Sequence, residues 1–295
     1  MTENKSISPD NPFPVVSLAP ALGAEIHGLD LSQPLPEETI VALRQAWLDH
    51  QVLVFRNQQL DDARLTAFSR QFGDLDTVPG WEPFSPPGHP EVLIISNVRE
   101  DGTTIGVLGD GEASWHTDMS YINRPPPGSL LYSLEVPDSG GDTCFMSMYA
   151  AIETLPADLH AAIAGKSLNH DSSHDSAGNL RANHRAFEDV SGAPDARHPI
   201  VRTHPETGRP ALFLGRRLHA WVVGETVEAS ETLLDRVWEH CDQAAFTYRH
   251  QWRPGDLLMW DNRCVMHRRD PFDAQARRIM HRTQLKGDTP EEAAA

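Results

Sequence analysis

Cysteine is scarce in this sequence: Cys144, Cys241 and Cys264 are the only three, and none stands in a CxxC pair. That excludes a disulfide framework or a thiolate zinc site and fits a reducing compartment. Basic residues are also few, 25 Lys and Arg against 42 Asp and Glu, giving a formal net charge of −17. A surface of that sign repels a phosphate backbone, and no Lys/Arg-rich run offsets it locally, so nucleic acid is excluded as a partner. No apolar stretch approaches the roughly 20 residues that a membrane helix needs. Residues 1–14 are polar and carry proline where a signal peptide would carry an apolar core. The expectation is a cytoplasmic protein with no membrane partner.

What is there is enough chain, 295 residues, for one large domain with a sizeable core. Residues 1–14 and 289–295 lack an apolar period and are expected to be flexible, which leaves 15–288 as a single domain. Pro36-Glu37-Glu38 opens a segment with Ile40, Leu43 and Trp47 at helical spacing, and Asp61-Asp62 opens another with Leu65, Phe68 and Phe72. Further helices are predicted over 148–155, 157–164 and 233–241. Strands are predicted over 52–55, 92–98, 130–136, 143–146, 200–203, 211–214, 246–252, 257–260 and 278–285. Because strands and helices do not alternate regularly, a doubly wound parallel sheet is disfavoured. The fold expected is mainly β, a jelly roll or barrel with flanking helices. Segments 79–90, 99–113 and 169–197 exceed ordinary connector length and are expected to be irregular loops that carry substrate contacts.

In Ser114-Trp115-His116-Thr117-Asp118, residues two apart on an extended chain project to one side, which brings His116 and Asp118 together. His267, shortly after the strand predicted over 257–260 and the polar turn Asp261-Asn262-Arg263, is the leading third ligand. Two histidines and one carboxylate with open positions suit Fe(II) and oxygen chemistry, whereas zinc more often takes a fourth protein ligand or a water. Among 15 histidines an isolated His-x-Asp is common, so the pair needs support. It comes from Arg277-Arg278-Ile279-Met280-His281-Arg282, where Arg278 and Arg282 share one strand face. Two guanidiniums aimed into one cavity require anions, and arginine offers a fork that matches a carboxylate or sulfonate.

Trp115-His116-Thr117-Asp118, Gly140-Gly141-Asp142-Thr143, Trp260-Asp261-Asn262-Arg263, His267 and the arginines of 277–282 together resemble the taurine dioxygenase (TauD/TfdA) family of Fe(II)/2-oxoglutarate oxygenases, which includes the aryloxyalkanoate herbicide-degrading enzymes. The likeness extends over about residues 15–288 and takes in Phe72-Gly73-Asp74-Leu75 and the hairpin from Thr203-His204-Pro205 to Leu214. It implies a distorted double-stranded β-helix, cupin-like and related to the jelly roll, with flanking α-helices. It implies that His116, Asp118 and His267 are catalytic and bind Fe(II). Thr143 and Arg278 would hold the far carboxylate of 2-oxoglutarate, and O2 would be the third reactant. Arg282 would bind the acidic group of a small anionic or zwitterionic organic substrate, a C–H bond of which is oxidised, typically hydroxylated, with release of succinate and CO2. A homo-oligomer, dimer or tetramer, is also common in the family.

The sequence departs from the taurine enzyme in the loop after Leu75, which reads Asp76-Thr77-Val78-Pro79 in place of a substrate-binding histidine. Glu112 stands where that enzyme has an asparagine, and Leu218 where it has an aromatic residue; both are candidate substrate contacts. His170 and His174 have the spacing of metal ligands on a helix but lack the glutamate of a metalloprotease, so the segment reads as a loop or lid. Gly106, Gly109 and Gly111 lack a flanking strand and helix for a nucleotide site. The competing expectations are a zinc-dependent hydrolase and a non-catalytic jelly-roll binding protein.

Overall fold

A computed structural model describes residues 12–77, 80–108, 113–176, 178–181, 184–187, 189–287 and 289–292. A sheet of eight strands runs in the order Val15–Ser17, Ala24–Ile26, Val52–Phe55, Leu257–Asp261, Gly128–Glu135, Ile279–Gln284, Leu93–Ser96 and Val107–Leu108. A sheet of four runs Thr247–His250, Thr143–Ser147, Val265–Arg269 and Ala113–His116. Pairing is antiparallel except between Ala24–Ile26 and Val52–Phe55 and between Leu93–Ser96 and Val107–Leu108. This is the distorted double-stranded β-helix expected, mainly β with helices outside, and the sheets do not close into a barrel.

The central strands are apolar along their whole length because both faces of the large sheet are covered. Val52, Val54, Leu258 and Trp260 belong to the core shared with Phe145 and Met146 of the small sheet. Their neighbours Leu53, Phe55, Leu257 and Met259 pack instead with Leu43, Trp47, Leu65 and Phe68 of the helices Glu37–His50 and Asp62–Ser69. The two-residue period of a strand sorts them into these two layers. The helix start at Asp62 is fixed by Asp61, whose side chain accepts from the Arg64 N–H at 2.8 Å.

Several segments differ from the sequence-based expectation. Val265–Arg269 is a strand although Val-Met-His-Arg-Arg has no strand-like alternation; it is held between Thr143–Ser147 and Ala113–His116, which pair with it on either side. The stretch 169–197 is not wholly irregular, since Ser167–His170 pairs with Ala196–Pro199 and with Trp221–Val222. The last helix starts earlier than its apolar pattern, at Val227, because Thr226 caps it by accepting from the Ala229 N–H. At the ends, Phe13 is buried in the layer beneath the helices and Glu291–Glu292 pairs with Val201–Thr203. Residues 1–11 and 293–295 lie outside the described residues. Among the described residues no helix is long and apolar enough to cross a membrane.

Gly128 begins the middle strand of the large sheet at the point where Trp47 crosses it, and a Cβ there would stand 2.7 Å from the indole. Gly128→Ala is therefore expected to destabilise the protein by about 1–3 kcal/mol. A lowered urea midpoint at unchanged slope is the expected reading; an unchanged midpoint would mean that the Trp47 contact gives way freely.

Candidate metal centre

His116 ends the edge strand of the small sheet and stands directly opposite His267 in the cross-strand register. Their ring centroids are 4.2 Å apart. Asp118 is not on the strand: it follows in a turn that includes Met119 at φ 47°, and this turn swings the carboxylate toward both rings. Nε2 of His116 and Nε2 of His267 each lie 3.9 Å from Oδ1 of Asp118. That is too long for a hydrogen bond, and three donors facing one gap at this spacing leave room for a cation.

The protonation states follow from the surroundings. Nδ1 of His116 is 2.8 Å from the Ser114 carbonyl, which can only accept, so Nδ1 carries the proton and Nε2 presents its lone pair to the gap. Burial and the neighbouring His267 push His116 down to about 3. Burial also lowers His267, whose Nδ1 has no protein partner and whose ring is flanked by Phe145 and Trp260. Burial opposes ionisation of Asp118, but the Arg282 guanidinium, both imidazoles and the Ser129 hydroxyl outweigh it and hold the carboxyl well below its usual range. Two neutral imidazoles and one carboxylate are the forms that bind a metal.

Asp118 also connects the two sheets. Ser129 Oγ donates to its Oδ2 at 2.8 Å, and Arg282 Nη1 donates to its Oδ1 at 3.1 Å. Ser129 in turn accepts from Asn262 Nδ2 at 3.0 Å, and Asn262 Oδ1 accepts from the Trp260 indole N–H at 2.8 Å. The rest of that turn is held by Asp261, which takes hydrogen bonds from the Arg263 guanidinium and from His204 Nε2. His204, Asp261 and Cys264 are close enough to resemble a second metal site. Their donors are already used, since His204 Nδ1 accepts from the N–H groups of Glu206 and Thr207.

Arg278 stands just before the strand Ile279–Gln284 and is 3% exposed. Its Nε has no partner, and among the described residues no carboxylate pairs with it. Burial and the nearby Arg269 lower its pKa to about 9, which marks a cation in need of an anion. Gly141 at φ +69° lies against it: a Cβ there would be 3.6 Å from Arg278 Nε and 3.5 Å from Phe272. Gly140 has a Cβ position only 2.7 Å from the Pro271 carbonyl, so the paired glycines let this loop close over Arg278. Thr143, two residues on, accepts from the Trp252 indole N–H at 2.9 Å, which leaves its own hydroxyl proton free to donate.

Thus His116, Asp118, His267 and Arg282 come together, with Arg278 buried beside the Gly140-Gly141 turn that leads into Thr143. Arg282 lines the cavity that opens at His116 and Asp118, and Arg278 is not among the lining residues of that cavity. Leu218 is 57% exposed and outside that cavity, whereas Arg216, two residues earlier, lines it. Glu112 lies outside the described residues, as do 109–111 of the glycine-rich stretch. His170 and His174 do not face each other: His170 packs against His198, and His174 stacks on His219. Sequence reasoning did not single out Ser129, Trp252, Tyr121 or Arg216, for none belongs to a local pattern that separates it from ordinary strand or turn residues.

Residues 14–284 match the family described as taurine catabolism dioxygenase TauD, TfdA family. The chain is 34% identical over 297 residues to an (S)-phenoxypropionate/alpha-ketoglutarate-dioxygenase of Sphingobium herbicidovorans, covering 96% of this chain and 98% of that protein. It is 35% identical over 292 residues to the alpha-ketoglutarate-dependent 2,4-dichlorophenoxyacetate dioxygenase of Cupriavidus pinatubonensis, covering 92% and 96%. The crystal structure of a taurine dioxygenase from Burkholderia xenovorans superposes with a TM-score of 0.76 at 32% identity, covering 94% of this chain and 92% of that one.

Replacing Arg278 by methionine removes a buried cation that has no carboxylate partner. Ligand-free Arg278→Met protein is expected to melt no lower than the parent. The stabilisation that 2-oxoglutarate with iron gives the parent, about 2.7 kcal/mol at a hundredfold excess over Kd, is expected to fall by half or more. Full retention of that stabilisation would show that the anion binds elsewhere.

Proposed function

Because the chain belongs to the taurine catabolism dioxygenase TauD, TfdA family, we propose that His116, Asp118 and His267 hold its Fe(II), that Arg278 and Thr143 hold 2-oxoglutarate, and that Arg282 receives the primary substrate. The protein is an Fe(II)- and 2-oxoglutarate-dependent dioxygenase. The zinc-dependent hydrolase and the non-catalytic binding protein are thereby set aside. The observation that supports the residue assignment most strongly is the direct pairing of His116 with His267, with Asp118 3.9 Å from both.

The residues fit the groups they would take. Two neutral histidines and one carboxylate on one side of a gap suit Fe(II) with positions open for oxygen chemistry. The partnerless Arg278 and the donating Thr143 hydroxyl suit a carboxylate at the far end of a 2-oxo acid. Bound there, iron and 2-oxoglutarate supply the oxidation, in which one atom of O2 enters succinate as CO2 is lost and the other enters a C–H bond of the substrate.

The protein's own task is to orient that C–H bond. Arg282 is 7% exposed and fixed by Asp118, so it offers its remaining donors to a substrate carboxylate or sulfonate from a set position. Trp81, Val107 and Met119 line the same cavity of about 370 Å³ and keep much of its wall apolar. The two curated relatives act, by name, on aryloxy carboxylates, and a small organic anion is the substrate class that an arginine in this position serves. A cytoplasmic location belongs to the same proposal, supported by three cysteines that are all free and buried.

Anaerobic addition of Fe(II) and then 2-oxoglutarate is expected to produce a weak visible charge-transfer band. Its absence from folded, iron-loaded protein would contradict the proposal. Asp118→Ala is expected to lower substrate-dependent succinate release by more than about a hundredfold, and a variant that kept this activity would rule out Asp118 as a ligand.

A further inference from the structure

The cavity at the metal-ligating groups has a second cationic flank. His116 pairs on one side with His267 and on the other, through an isolated bridge, with Arg216. Arg216 therefore stands across His116 from His267, while Arg282 approaches from the large sheet. Tyr121, Arg181 and His184 line the cavity with it.

Arg216 is held in place from both ends. The Gly215 carbonyl accepts from the Thr117 N–H at 2.9 Å. Gly215 itself has φ +65°, and a Cβ on it would stand 2.0 Å from Nδ1 of the buried His170, so glycine is required for the hairpin to sit on that ring. At the other end, Nη1 of Arg216 donates to the carbonyls of His174 and Asp175 at 2.7 and 3.0 Å, and its buried Nε has no partner. Arg181 Nε donates to the same His174 carbonyl at 2.9 Å. Arg181 lies 4.0 Å over the Tyr121 ring and Arg216 6.0 Å from it.

Two guanidiniums gathered round one phenol ring repel each other unless an anion joins them. Among the described residues neither is ion-paired with a carboxylate, although the adjacent Arg217 is paired with Glu231 and Asp235. Asp175 lines the same flank and accepts from Asn179, and Asp171 also attracts Arg216, but among the described residues neither carboxylate forms an ion pair with either guanidinium. The far carboxylate of 2-oxoglutarate, assigned above to Arg278, leaves this charge unmet.

We propose that the primary substrate carries an acidic group at each end, one held by Arg282 and the other by Arg216 with Arg181, so that the C–H bond oxidised lies between them beside His116 and Asp118. The proposal rests on the oxygenase reading above. A carboxylate, a sulfate or a phosphate meets the requirement for the second group, since all three present the same oxygen face to a guanidinium fork.

The test uses the iron-loaded full-length protein with 2-oxoglutarate and O2, measuring succinate release. Alkanedioates of roughly six to ten carbons, a size that suits this cavity, are compared with alkanoates of equal length, and terminally sulfated and phosphorylated alkanoates with the corresponding hydroxy acids. The doubly acidic compounds are expected to act at a KM at least about tenfold lower than their singly acidic partners. Arg216→Gln is expected to remove that difference by raising the KM of the doubly acidic compounds alone, and Arg216→Lys to restore part of it. Arg181→Gln provides the same comparison should Arg216→Gln fail to fold. Equal KM values within the pairs, an Arg216→Gln effect of the same size on both members, or no turnover of any doubly acidic compound would overturn the proposal. The anaerobic iron–2-oxoglutarate band of the parent separates the two readings: with the band present these outcomes remove only the second anion site, and without the band the oxygenase assignment falls as well.

Discussion

A single buried carboxylate, Asp118, is the constraint on which the site depends. It faces two imidazoles from the small sheet and takes hydrogen bonds from Ser129 and Arg282 of the large one. A lone carboxylate in such a place would be disfavoured by several kcal/mol. Here the guanidinium and hydroxyl offset that cost, and the ionised form is retained. The consequence is mechanical as well as electrostatic: at Asp118 polar groups of the two sheets meet, which ties the edge strand of one to the middle strands of the other.

The support behind Asp118 explains why the turn after Leu257–Asp261 is polar and yet buried. Trp260, Asn262 and Ser129 form a chain of hydrogen bonds that ends on the carboxylate. Asp261 and Arg263 turn the other way, toward His204 and Glu206, and brace the approach to the strand Val265–Arg269. His267 is therefore positioned by its cross-strand pairing and by this turn, its ring flanked by aromatic side chains and its Nδ1 without a hydrogen-bond partner.

Much of the large sheet was legible because strands such as Val52–Phe55 and Leu257–Asp261 are continuous apolar runs, which follow from being covered on both faces. His116 and Asp118 were legible by their spacing, although the geometry is a strand end followed by a turn and not one extended segment. The strand that bears His267 was not legible, because three of its five residues are His or Arg and its burial comes from neighbours distant in the chain. The alternating arginines around Met280 announced buried cations, and both Arg278 and Arg282 are buried, although a register shift between Ile279 and Met280 interrupts the regular pairing where their strand begins. Arg216 replaced Leu218 as the hairpin residue facing the cavity for a reason no local pattern carries: the Gly215 conformation against His170 decides which side chain of the hairpin turns inward.

The distribution of charge ties these features together. A chain of net charge −17 keeps Arg278, Arg282 and Arg216 largely buried; among the described residues Arg278 and Arg216 have no carboxylate ion-pair partner, and the carboxylate that Arg282 pairs with, Asp118, also faces His116 and His267. In the proposed assignment each is an address for an anion, arranged around His116, Asp118 and His267. Anomalous diffraction at the iron edge, from crystals loaded with Fe(II) without oxygen, addresses that arrangement directly. The account requires a single iron peak within bonding distance of His116, Asp118 and His267, with the remaining positions facing the cavity; a peak elsewhere, or one that lacked any of the three, would contradict it.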